Sequence, residues 1–135
     1  MSYHTDWGAT ERLEPDAIDG HKSFYGKAFT RQGDVLTADC EYNTVRELYS
    51  YGTKVAAIYL DPDDGPIIIV GKPYLFSATT GRHFRCFTRR NADGMAYGIA
   101  AIRKVWNDGP AVVNDYLVDS HTWNSACADR KGYRF

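Results

Sequence analysis

The chain is polar to Gly20, strand-like patterns run from Lys22 to Val70, and the period changes after Pro73. Ser23–Thr30 is aromatic-rich, with Tyr25 and Phe29 on one face of a predicted strand that Gln32-Gly33-Asp34 turns. Val35–Cys40 is read as a second strand. Thr44–Tyr51 and Lys54–Leu60 flank a tight turn at Gly52-Thr53. Lys54–Leu60 is apolar on both alternating sets, Val55, Ala57 and Tyr59 on one and Ala56, Ile58 and Leu60 on the other. That pattern predicts a central strand covered on both faces. The turn-rich Asp61–Pro66 precedes the β-branched strand Ile67–Val70, which Gly71-Lys72-Pro73 ends.

Arg82–Arg90 lacks glycine, proline and strand-like alternation, so a helix is predicted there with Thr79 or Thr80 as its N-cap. At about 100° per residue, Arg82, Arg85 and Arg89 share one stripe, and Phe84 and Phe87 fall roughly opposite. Asn91–Gly94 breaks this helix. Met95–Trp106 reads as a second one, although Ile99, Ile102 and Val105 also suit a strand. The segment before Gly20 is polar, with at most a turn of helix around Thr10–Leu13. Strands first and helices afterwards predict an α+β fold, a small antiparallel sheet packed by one or two helices.

A length of 135 residues with 44% apolar content fits one domain spanning 1–135 with a real core. Net charge is −1, which excludes a globally basic histone-like protein. The charge is nonetheless uneven. Residues 1–20 carry Arg12 against five carboxylates, a balance of −4, and residues 82–104 carry six cations against Asp93, a balance of +5. The two segments either attract one another in the fold or leave the basic one for an external anion. No apolar run approaches the length of a membrane span, and the first residues lack the basic and apolar regions of a signal peptide. Cys40, Cys86 and Cys127 are odd in number and widely spaced, which predicts thiols in a reducing compartment rather than a disulfide framework.

Three segments carry a resemblance: Lys22–Ala28, Leu48–Ala56, and Phe76–His83 with Phe87. The strings Ser50-Tyr51-x-Thr53-x-Val55-Ala56 and Ser77-x-Thr79-Thr80-x-Arg82-His83, in this order and spacing, resemble a small domain of unknown function found in bacteriophage and mobile-element proteins. The resemblance covers about residues 22–88, with a longer insertion at Arg31–Arg46, and leaves 89–135 as a C-terminal extension. It implies a phage or prophage setting, hence the cytoplasm of an infected host cell, and no particular reaction.

Candidate chemistry centres on Thr79, Thr80, Arg82 and His83. A helix start exposes N–H groups and partial positive charge, and threonine hydroxyls with an arginine complete an anion site. The alternative is that one threonine caps the helix, the other bonds locally and His83 is a satisfied structural residue. Arg82, Arg85 and Arg89, with Arg90 beside them, suit a nucleic-acid backbone, and ten tyrosines and three tryptophans supply stacking surfaces. Tyrosine is equally at home in small sheets and protein interfaces. Asp61, Asp63 and Asp64 lack calcium-loop spacing and predict a hairpin turn. His4, His21, His83 and His121 form no metal-ligand spacing, and no nucleophile motif precedes a helix.

No catalytic residue, metal or cofactor is therefore assigned. The expected function is a non-enzymatic binding protein, contacting a protein partner of host or phage and blocking a host or defence machine. Nucleic acid bound by 82–104 is the alternative. An aromatic edge strand, Phe24–Phe29, would also permit pairing across a two-fold axis.

Overall fold

The computed structural model describes residues 10–13, 27–36, 42–61, 65–92, 97–108, 117–127 and 135. Five strands form an antiparallel meander: β1 (Thr10–Arg12), β2 (Ala28–Leu36), β3 (Tyr42–Ser50), β4 (Thr53–Asp61) and β5 (Gly65–Val70). A 3-10 turn (Pro73–Leu75) leads into helix α1 (Ala78–Asn91), and helix α2 (Ile99–Asp108) follows. The chain then returns as β6 (Leu117–Asp119), parallel to β5, and ends this part of the fold in helix α3 (Ser120–Cys127). Spatial order in the sheet equals chain order, β1 to β6. The α+β class agrees with the strand-then-helix reading. The parallel β6 makes the sheet mixed, because a crossover carrying two helices returns the chain in the same direction as β5.

β4 is the central strand that its doubly apolar pattern predicts, and residues 55–59 are all buried. Its register to β3 shifts between Leu48 and Tyr49: Leu48 pairs with Ala56 and Tyr49 with Lys54, so Val55 is the extra residue of a bulge. Val55 and Ala56 consequently both join the helix-side core, with Leu48, Ile58, Ile68, Val70 and Leu117 beneath Phe84, Phe87, Ile102 and Val105. The other face holds Val45, Ala57, Tyr59, Ile69 and Val118 against Trp123 of α3, whose ring lies 5.1 Å from that of Tyr59. Helices therefore pack on both faces of the sheet. Trp106 Nε1 donates to the Gly71 carbonyl at 2.7 Å, fastening α2 to the end of β5.

Several local expectations are corrected. Thr10–Arg12 is a strand paired with Phe29–Arg31, not a helical turn, because pairing supplies backbone partners that an isolated turn lacks. Gln32-Gly33-Asp34 does not turn the chain. Each residue pairs with β3, and Val35 and Leu36 continue the same strand, so cross-strand pairing outweighs local turn chemistry. Phe29 is paired on both sides, with Arg12 and with Tyr49, and so is no edge residue for a two-fold contact. Ser23–Gly26 and Thr37–Cys40 lie outside the described residues. Ile99–Asp108 is helical and not a strand, with Ile102 and Val105 buried one turn apart. Its expected beginning at Met95 also falls outside the described residues. Asp61 pairs with Gly65, as a hairpin at the aspartate-rich turn requires.

Candidate functional site

The β3–β4 connection is two residues long, and both have positive φ, Tyr51 at 53° and Gly52 at 82°. This is the primed geometry that right-twisted hairpins need, and glycine meets it without strain. Tyrosine meets it at a cost. The turn delivers Ser50, the last residue of β3, beneath the first turns of α1.

There the two sequence strings meet. Ser50 Oγ lies 2.9 Å from Thr80 Oγ1 and 2.9 Å from His83 Nδ1. Ser77, in an extended conformation, caps α1: its Oγ accepts from the Thr80 N–H at 3.1 Å and its hydroxyl donates to Thr80 Oγ1 at 3.3 Å. The expected caps, Thr79 and Thr80, sit inside the helix instead, because Ser77 supplies both the extended backbone and the acceptor. The helix thus begins earlier than Arg82. Ser50, Thr80 and His83 are buried, His83 completely, and the Tyr51 ring lies 6.0 Å from the imidazole. A serine beside a histidine is the raw material of a nucleophile, and here both side chains are buried. The role of the pair is to fasten the sheet to the helix.

The outer side of α1 is different. Phe84, Cys86 and Phe87 are fully buried, whereas Arg82, Arg85 and Arg89 are half-exposed and Arg90 is exposed. Thr79 is half-exposed at the helix start. On α2, Arg103 and Lys104 are exposed. Of the six sequence-assigned residues, Thr79, Arg82, Arg85 and Arg89 therefore keep contact with solvent, and Thr80 and His83 turn inward to Ser50. Ser50 and Ser77 are not among the residues that the sequence singles out. Both stand in the two strings: Ser77 bonds Thr80 three residues on, a local cap, whereas Ser50 reaches Thr80 across thirty residues and leaves no local signal.

Cys86 is a buried thiol on the packed side of α1, as expected of a cysteine that behaves as a small apolar residue. Cys40 lies outside the described residues. Among the described residues no three His, Cys, Asp or Glu side chains gather where a metal ion would be held. Among them, too, no helix is long and apolar enough to cross a membrane.

On the other face, Glu47 accepts from Tyr49 Oη at 3.0 Å and pairs with Lys54 Nζ at 3.2 Å. Burial, then the hydrogen bond and charge of Glu47, raise the Tyr49 phenol above its ordinary value, and Arg31 opposes them.

The molecule is thus a mixed-sheet α+β domain with a polar clasp under α1 and cations on the outer side of its helices. A family model matches residues 12–100, well over half of the chain, and the chain belongs to that family of unknown function (DUF8033). The match reaches beyond residues 22–88 at both ends and takes in the strings that form the clasp. No curated protein and no solved structure matches the chain. Residues after the match still complete the domain, since β6 pairs with β5 and Trp123 seals the second face.

Proposed function

We propose that this chain is a non-enzymatic binding protein of a bacteriophage or mobile element. It acts in the cytoplasm of the infected cell, where it engages a host or phage macromolecule and obstructs a host or defence machine. The observation that supports this reading is the two-sided character of α1. Its aromatic side is spent on the core, and Arg82, Arg85, Arg89 and Arg90 occupy the remaining solvent-facing arc. Arg103 and Lys104 are exposed cations on α2. A face of one sign steers and orients an oppositely charged surface.

The test compares native and Arg85→Ala/Arg90→Ala proteins as baits in low-salt lysate of the host. A macromolecule recovered by the native bait, lost with the variant and released by salt, is the expected result. Equal recovery by both baits contradicts the assignment.

A second reading, direct binding of nucleic acid by residues 82–104, is supported by that segment's balance of six cations against one carboxylate. It requires affinity for DNA or RNA that falls steeply with salt, each phosphate contact releasing counterions. A flat titration at low salt removes it.

A further inference from the structure

Two of the three large apolar side chains most exposed among the described residues gather at one end of the sheet. Tyr51 is 55% exposed in the β3–β4 turn and Tyr74 is 79% exposed in the 3-10 turn, whereas Leu60 lies at the far end of β4. Topology brings the tyrosines together. Ala56 pairs with Val70, so β5 ends where β4 begins, and the Gly71 N–H donates to the Val55 carbonyl at 2.8 Å. Tyr74 stands three residues further on, and α1 starts soon after, clasped to Ser50 beside Tyr51. The same end carries exposed Lys27 and Lys72, with Lys27 Nζ 5.7 Å from the centroid of the Tyr51 ring. Arg82, on the first turns of α1, connects this end to the arginine stripe.

We propose that this end of the sheet is a contact for single-stranded nucleic acid, with bases stacked on Tyr51 and Tyr74 and phosphates held by Lys27, Lys72 and Arg82. The inference deepens the second reading above and rests on it. Exposed aromatic rings interleaved with cations fit an unpaired strand, whose bases offer open faces between charged phosphates. A duplex hides those faces. An acidic protein surface also matches lysines and tyrosines, and the alternation of ring and cation is what favours an unpaired strand here. Tyr51 keeps 55% of its surface exposed although its ring also neighbours His83, and it does so from a left-handed backbone position that asparagine or glycine fills more cheaply.

The experiment measures fluorescence anisotropy of labelled oligothymidylate and oligouridylate, about 15 nucleotides long, against a duplex of equal length at low salt. Native protein, Tyr74→Ala, Tyr51→Asn and Arg85→Ala/Arg90→Ala are compared, with thermal unfolding of each recorded. The single strands bind more tightly than the duplex, and each tyrosine variant weakens them about five- to a hundredfold without loss of folding. Tyr74→Ala keeps the test sound should Tyr51→Asn disturb the hairpin. Single-strand binding that ignores both tyrosines but falls with the arginine variant overturns the stacking contact and leaves the basic-face reading standing. Tighter binding of duplex overturns it equally. Absence of binding to every probe overturns both this contact and the nucleic-acid reading, while the bait comparison judges macromolecular binding separately.

Discussion

Ser50 Oγ and His83 Nδ1 lie 2.9 Å apart across thirty-three residues of chain, joining the last residue of β3 to the second turn of α1 inside the core. Both belong to strings that lie within the family match, so the match covers two halves of one buried contact. A buried hydroxyl and imidazole satisfy one another at modest net gain, and removing one takes a hydrogen bond from the buried group that remains. Ser50→Ala is therefore expected to lower unfolding free energy by about 1–3 kcal/mol in a urea titration. Combining it with His83→Phe should cost less than the sum of the two, by more than about 0.5 kcal/mol. Additive effects would remove the clasp from this account.

The N-cap is assigned to Ser77 and not to either threonine. Ser77→Ala should cost about 1 kcal/mol, Ser77→Asp should retain most of the stability, and Thr79→Ala should stay within about 0.5 kcal/mol of the native protein. Chemical denaturation of the three variants separates these outcomes, and a larger cost at Thr79 than at Ser77 contradicts the assignment.

Gly52 has φ of 82° and nothing within 4 Å of where a Cβ would stand, so its cost on substitution is conformational, not steric crowding. Gly52→Ala should destabilise by about 1–2 kcal/mol, the penalty of a left-handed L-residue. Tyr51→Asn should retain at least native stability, since asparagine tolerates that backbone. Thermal unfolding reads both. The pairing of retained stability with weakened oligonucleotide binding is what a tyrosine kept for contact predicts.

Tyr49 supplies a pH dependence. Its phenol is raised from 10.0 in the folded chain, first by burial and then by Glu47, so the unfolded chain releases this proton at lower pH. The associated stability is complete below pH 10.0 and is lost as pH climbs from there through the folded value. Tyr49→Phe should flatten the fall of unfolding free energy above that pH. An unchanged slope in the variant is the contrary result.

Local pattern carried the elements whose periodicity and packing agree. Val55–Tyr59 is apolar on both sets because it is covered on both sides, and Phe84 and Phe87 oppose the arginines because a helix must spend one face on the sheet. The turn expected at Gly52-Thr53 falls one residue late, since Tyr51 and Gly52 make it and Thr53 opens β4. Elements whose form depends on distant partners were not legible. Gly33 and Asp34 look like a turn until β3 lies beside them, and Thr10–Arg12 is a strand only because Phe29–Arg31 receives it. Residues 117–119 are too few to show a period, and they become a strand by pairing with Ile68–Val70. At the candidate site the arginine stripe was readable on a helical wheel. That His83 is a satisfied structural residue stands among the readings, but its partner does not, since Ser50 comes from another element.

The central claim is that the outer face of α1 and α2 binds a macromolecule through its cations. The most direct measurement is the affinity for the recovered macromolecule as ionic strength rises, for native protein and for Arg85→Ala/Arg90→Ala. Native affinity should fall steeply with salt, and the variant should bind more weakly and with a shallower dependence. Identical curves for the two proteins would contradict the claim.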